Sequence, residues 1–434
     1  MFEAQASGPP SESARALAAA QLQKYGNRCA IRMQNSGLER GAHTLSTAGY
    51  DGSTRAMTNP SRHEGPEPNY DRVVSGYATF HHPRPFRCDW GGVLPEFTLA
   101  YETWGRLSAA RDNAVLLHTG LSASSHARSH ANNPNPGWWE DFIGPGSAID
   151  TDRFFVICSN LLGGCYGSTG PASTDPRSGR PYATDFPILT VDDMVRAQLA
   201  LLDHLGIERV HASSGASLGG MQSLSIAAMA PERVGRVVSI SAALRSHPQS
   251  IAFRFVQRQA VMADADWRGG HYYGLSFPHR GQKIAREMGT ITYRSGPEWQ
   301  ERFGRARADD RVGPRLDEDF EVERYLLHQG EKFCLQYDAN SYLYISKAMD
   351  LFDLTDTARG QPAIERITCP TLVIGASSDL LFPVWQQREL ARALRKQGAA
   401  VTYVELDAPY GHDTFLIDRE RVGGAVKAHL EEVN

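Results

Sequence analysis

The sequence lacks long hydrophobic runs, closely spaced cysteine pairs and a strong excess of either charge. No apolar run approaches the roughly 20 residues that cross a bilayer, so we expect no membrane partner. A net charge of −4 over 434 residues gives no basis for a nucleic-acid partner. The six cysteines form no C-x-x-C pair and no zinc-like spacing, which predicts reduced, buried thiols and no metal site: Cys29, Cys88, Cys158, Cys165, Cys334 and Cys369.

The first part of the chain has few large apolar residues and cannot build a core. We therefore expect residues 1–72 to form a disordered extension. Within it, residues 13–38 carry several basic side chains and no acid, as is typical of a mitochondrial transit peptide, although Glu3 and Glu12 argue against that interpretation. In a eukaryotic cell this predicts a mitochondrial location. The alternative is a tail without targeting function on a cytoplasmic protein.

A serine in a glycine-rich turn is the most informative feature that is present. Ser217 lies in Gly-Ala-Ser-Leu-Gly, after a strand-like run at 207–214 and before a helix-like run at 220–230. This context predicts a nucleophile elbow, in which a sharp turn exposes the serine hydroxyl. It also leaves the N–H of Leu218 at a helix N-terminus, where it can stabilise a developing oxyanion.

Partners for such a serine follow near the C-terminus. The apolar strand Pro370–Ala376 leads to Asp379, and the strand Val401–Leu406 leads to His412. The order Ser, Asp, His is that of α/β hydrolases, and both candidates follow strand ends, where open α/β sheets place their sites. We therefore predict a Ser217–His412–Asp379 triad. Taken singly, Asp379 is equally compatible with a helix N-cap, and His412 with an ordinary loop position.

The alternation of strand and helix patterns predicts an α/β fold with a mainly parallel sheet. We expect the core to comprise residues 73–244 and 351–434. Residues 245–350 carry helical patterns and few strand signals, which predicts a helical lid inserted over the strand ends. The predicted strands and helices are Phe97–Tyr101, Ala114–His118, Arg153–Cys158, Arg236–Ile240, Val191–Leu205, Ile251–Met262 and Val322–Gln329.

Over residues 75–430 the chain resembles the homoserine O-acetyltransferase family of α/β-hydrolase-fold acyltransferases. The motifs that carry the resemblance are Gly137–Gly146, Cys158–Pro171, the elbow extended through Gly219-Gly-Met-Gln222, Asp338–Tyr344, Ser378–Pro383 and Gly411–Leu416. The resemblance implies acyl transfer from acyl-CoA, a co-substrate rather than a bound cofactor, to an amino-acid hydroxyl through an acyl-serine. It also implies a homodimer.

The resemblance also implies residues that bind the amino acid. Arg286 matches the family's substrate arginine and would pair with the carboxylate, while Asp413 would receive the ammonium. Apart from the resemblance, Arg286 is compatible with a solvated helix position and Asp413 with a loop cap. The loop after strand Ala114–His118 would supply a second oxyanion N–H, from Leu121.

Two departures from the homoserine pattern concern substrate choice. The loop residues Leu121, Ser122, Ala123 and Ser124 resemble the subgroup that acylates serine. Arg254 stands where the family usually has asparagine, and an added cation would suit a succinyl carboxylate.

We therefore expect transfer of succinyl from succinyl-CoA to L-serine, on a route to cysteine. Two observations leave other acyl donors open. Arg254 is also compatible with pairing to Asp264 or Asp266, and Leu380–Leu381 resembles acetyl-type members. The alternatives are serine or homoserine O-acetyl transfer, an esterase or thioesterase, and a non-catalytic binding module.

Overall fold

The centre of the molecule is one sheet, and the computed structural model describes residues 66–432 apart from 311, 312, 315, 317 and 359–361. Within these residues the strands of the sheet are β1 (Ala78–His82), β2 (Phe97–Trp104), β3 (Ala114–His118), β4 (Phe155–Ser159), β5 (Ala212–Ala216), β6 (Val237–Ile240), β7 (Thr371–Ala376) and β8 (Val401–Leu406). Their spatial order is β1-β2-β4-β3-β5-β6-β7-β8. β2 pairs antiparallel with β1 and β4, and all other neighbours are parallel. The predicted α/β class with a mainly parallel sheet is confirmed.

Helices and short strands complete the described part of the chain. The helices are α1 (Tyr70–Val73), α2 (Val191–His204), α3 (Leu218–Met229), α4 (Pro248–Met262), α5 (His279–Tyr293), α6 (Gly296–Phe303), α7 (Glu321–Cys334), α8 (Ala339–Asp350), α9 (Trp385–Lys396), α10 (Thr414–Ile417) and α11 (Arg419–Glu431). Pairs of two-residue strands lie outside the main sheet: Phe86–Arg87 with Val93–Leu94, Ile143–Gly144 with Ile149–Asp150, and Thr174–Asp175 with Arg180–Pro181. Each described helix is too short or too polar to span a bilayer.

The inner strands of the sheet are buried on both faces. Along β3 every residue is buried, and Leu116 packs into one hydrophobic core while Val115 and Leu117 pack into the other. This alternation is the period of two that a strand imposes on its side chains. It explains why β3 appears in the sequence as a continuous apolar run rather than an alternating one.

Some predicted boundaries differ from the structure. The strand predicted at 207–214 begins only at Ala212, because Gly206 adopts a φ of 67° after α2 and Ile207 donates back to the Leu202 carbonyl at 2.9 Å. The strand predicted from Arg153 begins at Phe155, since Phe154 still belongs to a turn that starts at Asp150.

Between β6 and β7 the chain forms a helical insertion. Within residues 245–350, the described part contains α4 to α8 and no strand of the central sheet. Two predicted helices are longer than expected: α4 begins at Pro248, where a proline is favoured, and α7 continues to Cys334. Helix α5 packs against both α4 and α7, so the insertion has its own layer of helices.

The segment just before the core is folded. Tyr70, at the start of α1, donates its hydroxyl to the Asp338 carboxylate at 3.2 Å, and Glu67 accepts the Gly274 N–H at 3.0 Å. The predicted boundary at residue 72 is therefore too late, because these polar contacts hold residues 66–72 on the insertion. The prediction of a disordered or targeting segment at residues 1–65, which includes Cys29, lies outside the described residues. The five described cysteines are buried and form no disulfide.

Candidate active site

Ser217 lies at the tight junction between β5 and α3. Its backbone has φ 57° and ψ −122°, a conformation that costs energy for a residue with a side chain. Glycines on both sides make the turn sterically possible. A Cβ on Gly215 would lie 2.4 Å from the Gly219 backbone, and a Cβ on Gly219 would lie 2.5 Å from the His118 carbonyl oxygen. The predicted elbow geometry thus follows from the small residues that flank the serine.

His412 and Asp379 form a buried pair. His412 Nδ1 lies 2.7 Å from Asp379 Oδ2, and Asp379 Oδ1 accepts the N–H groups of Leu381 at 2.9 Å and Phe382 at 2.8 Å. Because Nδ1 is engaged, Nε2 is the ring nitrogen that remains for another group. Burial lowers the pKa of His412, but the carboxylates of Asp379 and Asp413 together more than offset this, so the pKa lies above the ordinary histidine value.

One cavity of about 260 Å³ brings most of the predicted site together. Ser217 and His412 both line it, as do side chains from the helical insertion. The other predicted residues on its wall are Leu121, Ser122, Ala123, Arg254, Arg286 and Asp413. Leu218 lies behind the wall and is fully buried, with its N–H at the first position of α3, where no intrahelical partner exists.

Arg286 lies against two aromatic rings on the cavity wall. Its guanidinium carbon lies 4.8 Å from the centre of the Phe333 ring and 5.4 Å from that of Tyr293. Among the described residues no carboxylate lies within ion-pair distance of it, and its Nε is buried without a hydrogen-bond partner. A cation held by aromatic rings in this way is available to an anionic ligand.

Asp413 lies beside the catalytic candidate His412 and pairs with an arginine. Arg294 Nη2 lies 3.5 Å from Asp413 Oδ2. Burial raises the pKa of Asp413 above its ordinary value, and Arg294, His412 and Arg286 each act in the opposite direction. The carboxylate is therefore partly desolvated, which strengthens its interaction with any cation that enters the cavity.

Arg254 is buried and pairs with Asp350, not with Asp264 or Asp266. Its Nε lies 2.6 Å from Asp350 Oδ1, while Asp264 is engaged by the N–H groups of Asp266 and Gly281. This corrects the alternative considered for its partner. An acid does pair with Arg254, but it is Asp350 of α8, which is distant in sequence. Its Nη1 has no hydrogen-bond partner among the described residues.

The Asp350 carboxylate is shared between two arginines. Arg258 Nη2 lies 2.6 Å from Asp350 Oδ2, on the other side of the carboxylate from Arg254. Two guanidinium groups on one carboxylate leave a net positive charge at the cavity wall. Burial lowers the pKa of Arg254 despite the neighbouring Asp350, so an additional anion here would stabilise its charged form.

Ser124 does not face the cavity. Its carbonyl accepts the indole N–H of Trp138 at 2.9 Å, and its hydroxyl accepts the His126 N–H at 3.2 Å. Three of the four predicted loop residues therefore line the cavity, while the fourth anchors the far end of the loop. The Leu121 carbonyl accepts the Tyr337 hydroxyl at 2.8 Å.

Similar known proteins include serine and homoserine O-acyltransferases. A family described as alpha/beta hydrolase fold matches residues 113–418. Serine O-succinyltransferase of Schizosaccharomyces pombe is 51% identical, over 87% of this chain and 88% of that protein. Homoserine O-acetyltransferase of Moorella thermoacetica is 45% identical, over 79% of this chain and 92% of that protein. The chain belongs to the serine and homoserine O-acyltransferase family.

Solved structures with the same fold include a member of this family and an esterase. Homoserine O-acetyltransferase from Bacillus anthracis superposes with a TM-score of 0.75 at 28% identity, over 82% of this chain and 98% of that one. The esterase E22 superposes with a TM-score of 0.76 at 28% identity, over 82% of this chain and all of that one. The predicted α/β-hydrolase fold and the resemblance to this acyltransferase family are confirmed.

Sequence reasoning missed several cavity residues, including a tyrosine and an arginine that are adjacent in the chain. Tyr293 and Arg294, at the end of α5, both line the cavity, and Arg294 also forms an ion pair with Glu298. Burial raises the pKa of Glu298. The available signal was their position seven and eight residues after Arg286, since residues two helical turns apart share a face.

A second polar cluster of this family member was also missed. Glu102 Oε2 lies 2.8 Å from His126 Nδ1 and 2.6 Å from His130 Nε2, and its Oε1 accepts the Ser125 hydroxyl at 2.8 Å. These residue types are metal ligands, but the separations are those of direct hydrogen bonds. The cluster therefore fixes the end of the loop that begins at Leu121. The sequence separation from Glu102 to His130 hides it from pattern analysis.

Proposed function

We propose that the protein is an L-serine O-succinyltransferase that uses succinyl-CoA as co-substrate and forms an acyl-Ser217 intermediate. One observation carries the proposal. One cavity is lined by Ser217 and by His412, which pairs with Asp379. Its wall also carries Arg254 and Arg286, and the Nη1 of Arg254 and the Nε of Arg286 have no hydrogen-bond partner among the described residues. A further arginine on the wall, Arg294, is already paired with Asp413 and Glu298. A succinyl group and an amino acid each present one carboxylate. The relatives named serine O-succinyltransferase support the same assignment.

The reaction proceeds in two acyl transfers. His412 takes the Ser217 hydroxyl proton, and Ser217 Oγ attacks the thioester carbonyl carbon. The tetrahedral intermediate collapses, the C–S bond breaks, and His412 returns the proton to the CoA sulfur. The substrate hydroxyl then gives its proton to His412 and attacks the carbonyl carbon of the acyl-serine ester. The bond from that carbon to Ser217 Oγ breaks, and His412 returns the proton to Oγ, which regenerates Ser217. Asp379 orients His412 and stabilises its cationic form in both steps.

The negative charge of each tetrahedral intermediate is received by backbone donors. Leu218 offers the N–H at the start of α3, where the helix dipole adds to its effect. Leu121, in the loop that follows β3 and on the wall of the same cavity as Ser217, offers the second N–H. Fixed donors of this kind stabilise the charge without reorganisation during the reaction.

The amino acid binds between groups of opposite charge. Its carboxylate pairs with Arg286, which has no ion-pair partner among the described residues, and its ammonium approaches Asp413. Arg294 already contacts Asp413 at 3.5 Å. Because that contact is longer than a good hydrogen bond, the carboxylate keeps capacity for the ammonium.

The donor's distal carboxylate binds at Arg254. The Nη1 group of Arg254 is the donor that remains after Asp350 and Ser246 have been satisfied. An acetyl group has no charge to use this donor. Acetyl transfer is the second candidate, because the Moorella relative is named homoserine O-acetyltransferase and because the apolar side chain of Leu381 forms part of the cavity wall.

The helical insertion acts as a lid that excludes competing water. Arg254 and Arg286 belong to α4 and α5, so the insertion supplies both substrate-binding cations and part of the wall. Without exclusion of water the acyl-serine would be hydrolysed, and the protein would act as an esterase or thioesterase. The structural likeness to esterase E22 makes this a necessary comparison.

The test is CoA release by purified protein with succinyl-CoA or acetyl-CoA, each with L-serine, L-homoserine or no acceptor. Ser217→Ala serves as the inactive control. We expect release to depend on an acceptor and to be fastest with succinyl-CoA and L-serine. Equal release without acceptor would identify a hydrolase instead, and preference for acetyl-CoA or homoserine would reassign the corresponding substrate.

We also propose a homodimer and a mitochondrial location. Exposed apolar side chains of α4 and α5 support the dimer, because Phe255, Val256, Ile284 and Ile291 are each about half exposed. Light scattering on the purified protein tests it, and a monomeric mass would contradict it.

The acid-free basic stretch at residues 13–38 supports the mitochondrial location. Comparing the imaged location of the full chain with that of residues 66–434, each tagged at the C-terminus, tests it.

A further inference from the structure

Two carbonyl groups on either side of the Leu121 N–H are held by buried side chains. Gln222 Nε2 donates to the Thr119 carbonyl at 3.1 Å, and the Tyr337 hydroxyl donates to the Leu121 carbonyl at 2.8 Å. The peptide group that carries the Leu121 N–H lies between these two anchored peptide groups. A Cβ on the intervening Gly120 would meet no atom within 4 Å, so the turn borders open space on the side of the cavity.

Tyr337 is rigidly mounted. Its side chain is 1% exposed, and its ring stacks on Phe333 at 5.2 Å between centroids and meets the edge of Tyr166 at 5.5 Å. Its own carbonyl accepts Gln282 Nε2 at 2.7 Å. The next residue, Asp338, caps α8 by accepting the Ser341 N–H at 2.7 Å. A donor fixed at both ring and backbone can hold an acceptor in one orientation.

The Asp338 carboxylate adds a second fixation point. It accepts the hydroxyl groups of Tyr70, Tyr272 and Tyr273. Burial raises the pKa of Asp338, against these hydrogen bonds. These bonds hold the residue next to Tyr337 in place. The sequence motif that begins at Asp338 therefore has a role in positioning Tyr337, which is separate from the proposed triad chemistry.

Gln222 belongs to α3, the helix that begins directly after Ser217. It lies five residues after Ser217 in α3 and is fully buried. Its Oε1 accepts Gln198 Nε2 at 3.0 Å, which leaves its own Nε2 to donate to the loop. Any shift of the loop relative to Ser217 would therefore stretch a bond that starts on the same helix.

We propose that Tyr337 and Gln222 are positioning residues that fix the Leu121 N–H as the second oxyanion donor. The inference rests on the proposed acyl transfer through Ser217. Oxyanion donors accelerate a reaction when they are already oriented towards the position where charge develops. The two anchors hold the peptide groups before and after the donor, one from the core helix α3 and one from the helical insertion.

Tyr337→Phe tests the proposal, with Tyr344→Phe as matched control. Tyr344 lies in α8, is similarly buried, and donates its hydroxyl to the Thr184 main-chain carbonyl at 3.0 Å, away from the cavity. Each substitution removes one hydroxyl and keeps the ring. For Tyr337→Phe we expect kcat to fall about tenfold with KM for both substrates changed less than roughly twofold. The control should retain wild-type kcat at a similar melting temperature.

Inhibition by an alkyl boronic acid is a second measurement, because a change of stability alone would not alter its inhibition constant. Its tetrahedral adduct on Ser217 places an oxygen in the oxyanion position, so its inhibition constant should rise in parallel with the loss of kcat in Tyr337→Phe. Gln222→Met, which removes the other anchor, should show the same pattern. Wild-type kcat and boronate affinity in both variants, or an equal loss in Tyr344→Phe, would overturn the inference. An inactive wild-type protein would instead refute the proposed function.

Discussion

Replacing Arg254 by asparagine should change the choice of acyl donor rather than abolish activity. In the structure Arg254 and Arg258 share the Asp350 carboxylate, so loss of one arginine leaves Asp350 paired with the other. The positive charge at the cavity wall is removed, and the fold keeps its buried ion pair. Succinyl-CoA loses a charged partner for its distal carboxylate, whereas acetyl-CoA has no carboxylate at that position and loses no such interaction.

The size of the effect follows from one hydrogen bond between charged groups. Such a bond contributes about 1.5–3 kcal/mol, so the ratio of kcat/KM for succinyl-CoA to that for acetyl-CoA should fall about 10- to 100-fold. The assay is CoA release with saturating L-serine and varied donor. Most of the change should appear in kcat/KM for succinyl-CoA.

Arg258→Asn is the matched control for this prediction. Arg258 contacts the same carboxylate and donates to the Ser346 hydroxyl at 2.9 Å, but it does not line the cavity. Arg258→Asn removes the same charge as Arg254→Asn. We expect its ratio of kcat/KM for succinyl-CoA to that for acetyl-CoA to stay within about threefold of wild type. An unchanged ratio in Arg254→Asn, or an equal shift in both variants, would refute the assignment of Arg254 to the succinyl group.

Three further predictions concern the acceptor, the base and the turn. Arg286→Ala should raise KM for L-serine about tenfold or more, because the carboxylate loses a charged partner, while single-turnover acylation of Ser217 stays near wild type; slow acylation would contradict this. Asp379 raises the pKa of His412, so kcat/KM should fall on acidification with a midpoint above about 6.5, and Asp379→Asn should move that midpoint down; an unmoved midpoint would contradict the pairing. Gly219→Ala places a Cβ 2.5 Å from the His118 carbonyl oxygen, and calorimetry should show a loss of roughly 1–3 kcal/mol in unfolding free energy.

The parts of this molecule that could be predicted are those with local patterns. β3 and β8 have the bounds that the sequence predicts, because each is a short strand pattern that ends at turn residues. The positions of Ser217, Asp379 and His412 followed from one topological rule, that parallel strands present their carboxyl ends at the same edge of a sheet. Knowing the strands was enough to expect these three side chains near one another.

The parts that could not be predicted depend on contacts between distant segments. Asp350 lies 96 residues from Arg254, and no periodicity in either helix indicates that they meet. Ser124 does not line the cavity, and its carbonyl accepts the Trp138 indole N–H, a contact that the loop sequence alone does not reveal. The pairing of Asp413 with Arg294, which joins the last part of the core to the insertion, is likewise not indicated by the sequence around either residue.

The bond from Tyr337 to the Leu121 carbonyl has a consequence for protein engineering. Insertions of this kind invite exchange between relatives, on the assumption that a lid brings its substrate preference with it and leaves the reactive centre unchanged. In this chain the segment that would be exchanged also holds the loop beside the nucleophile. A chimaera made at residues 245 and 350 should therefore inherit turnover as well as selectivity from the donor protein, unless Tyr337 and its acceptor are transplanted together.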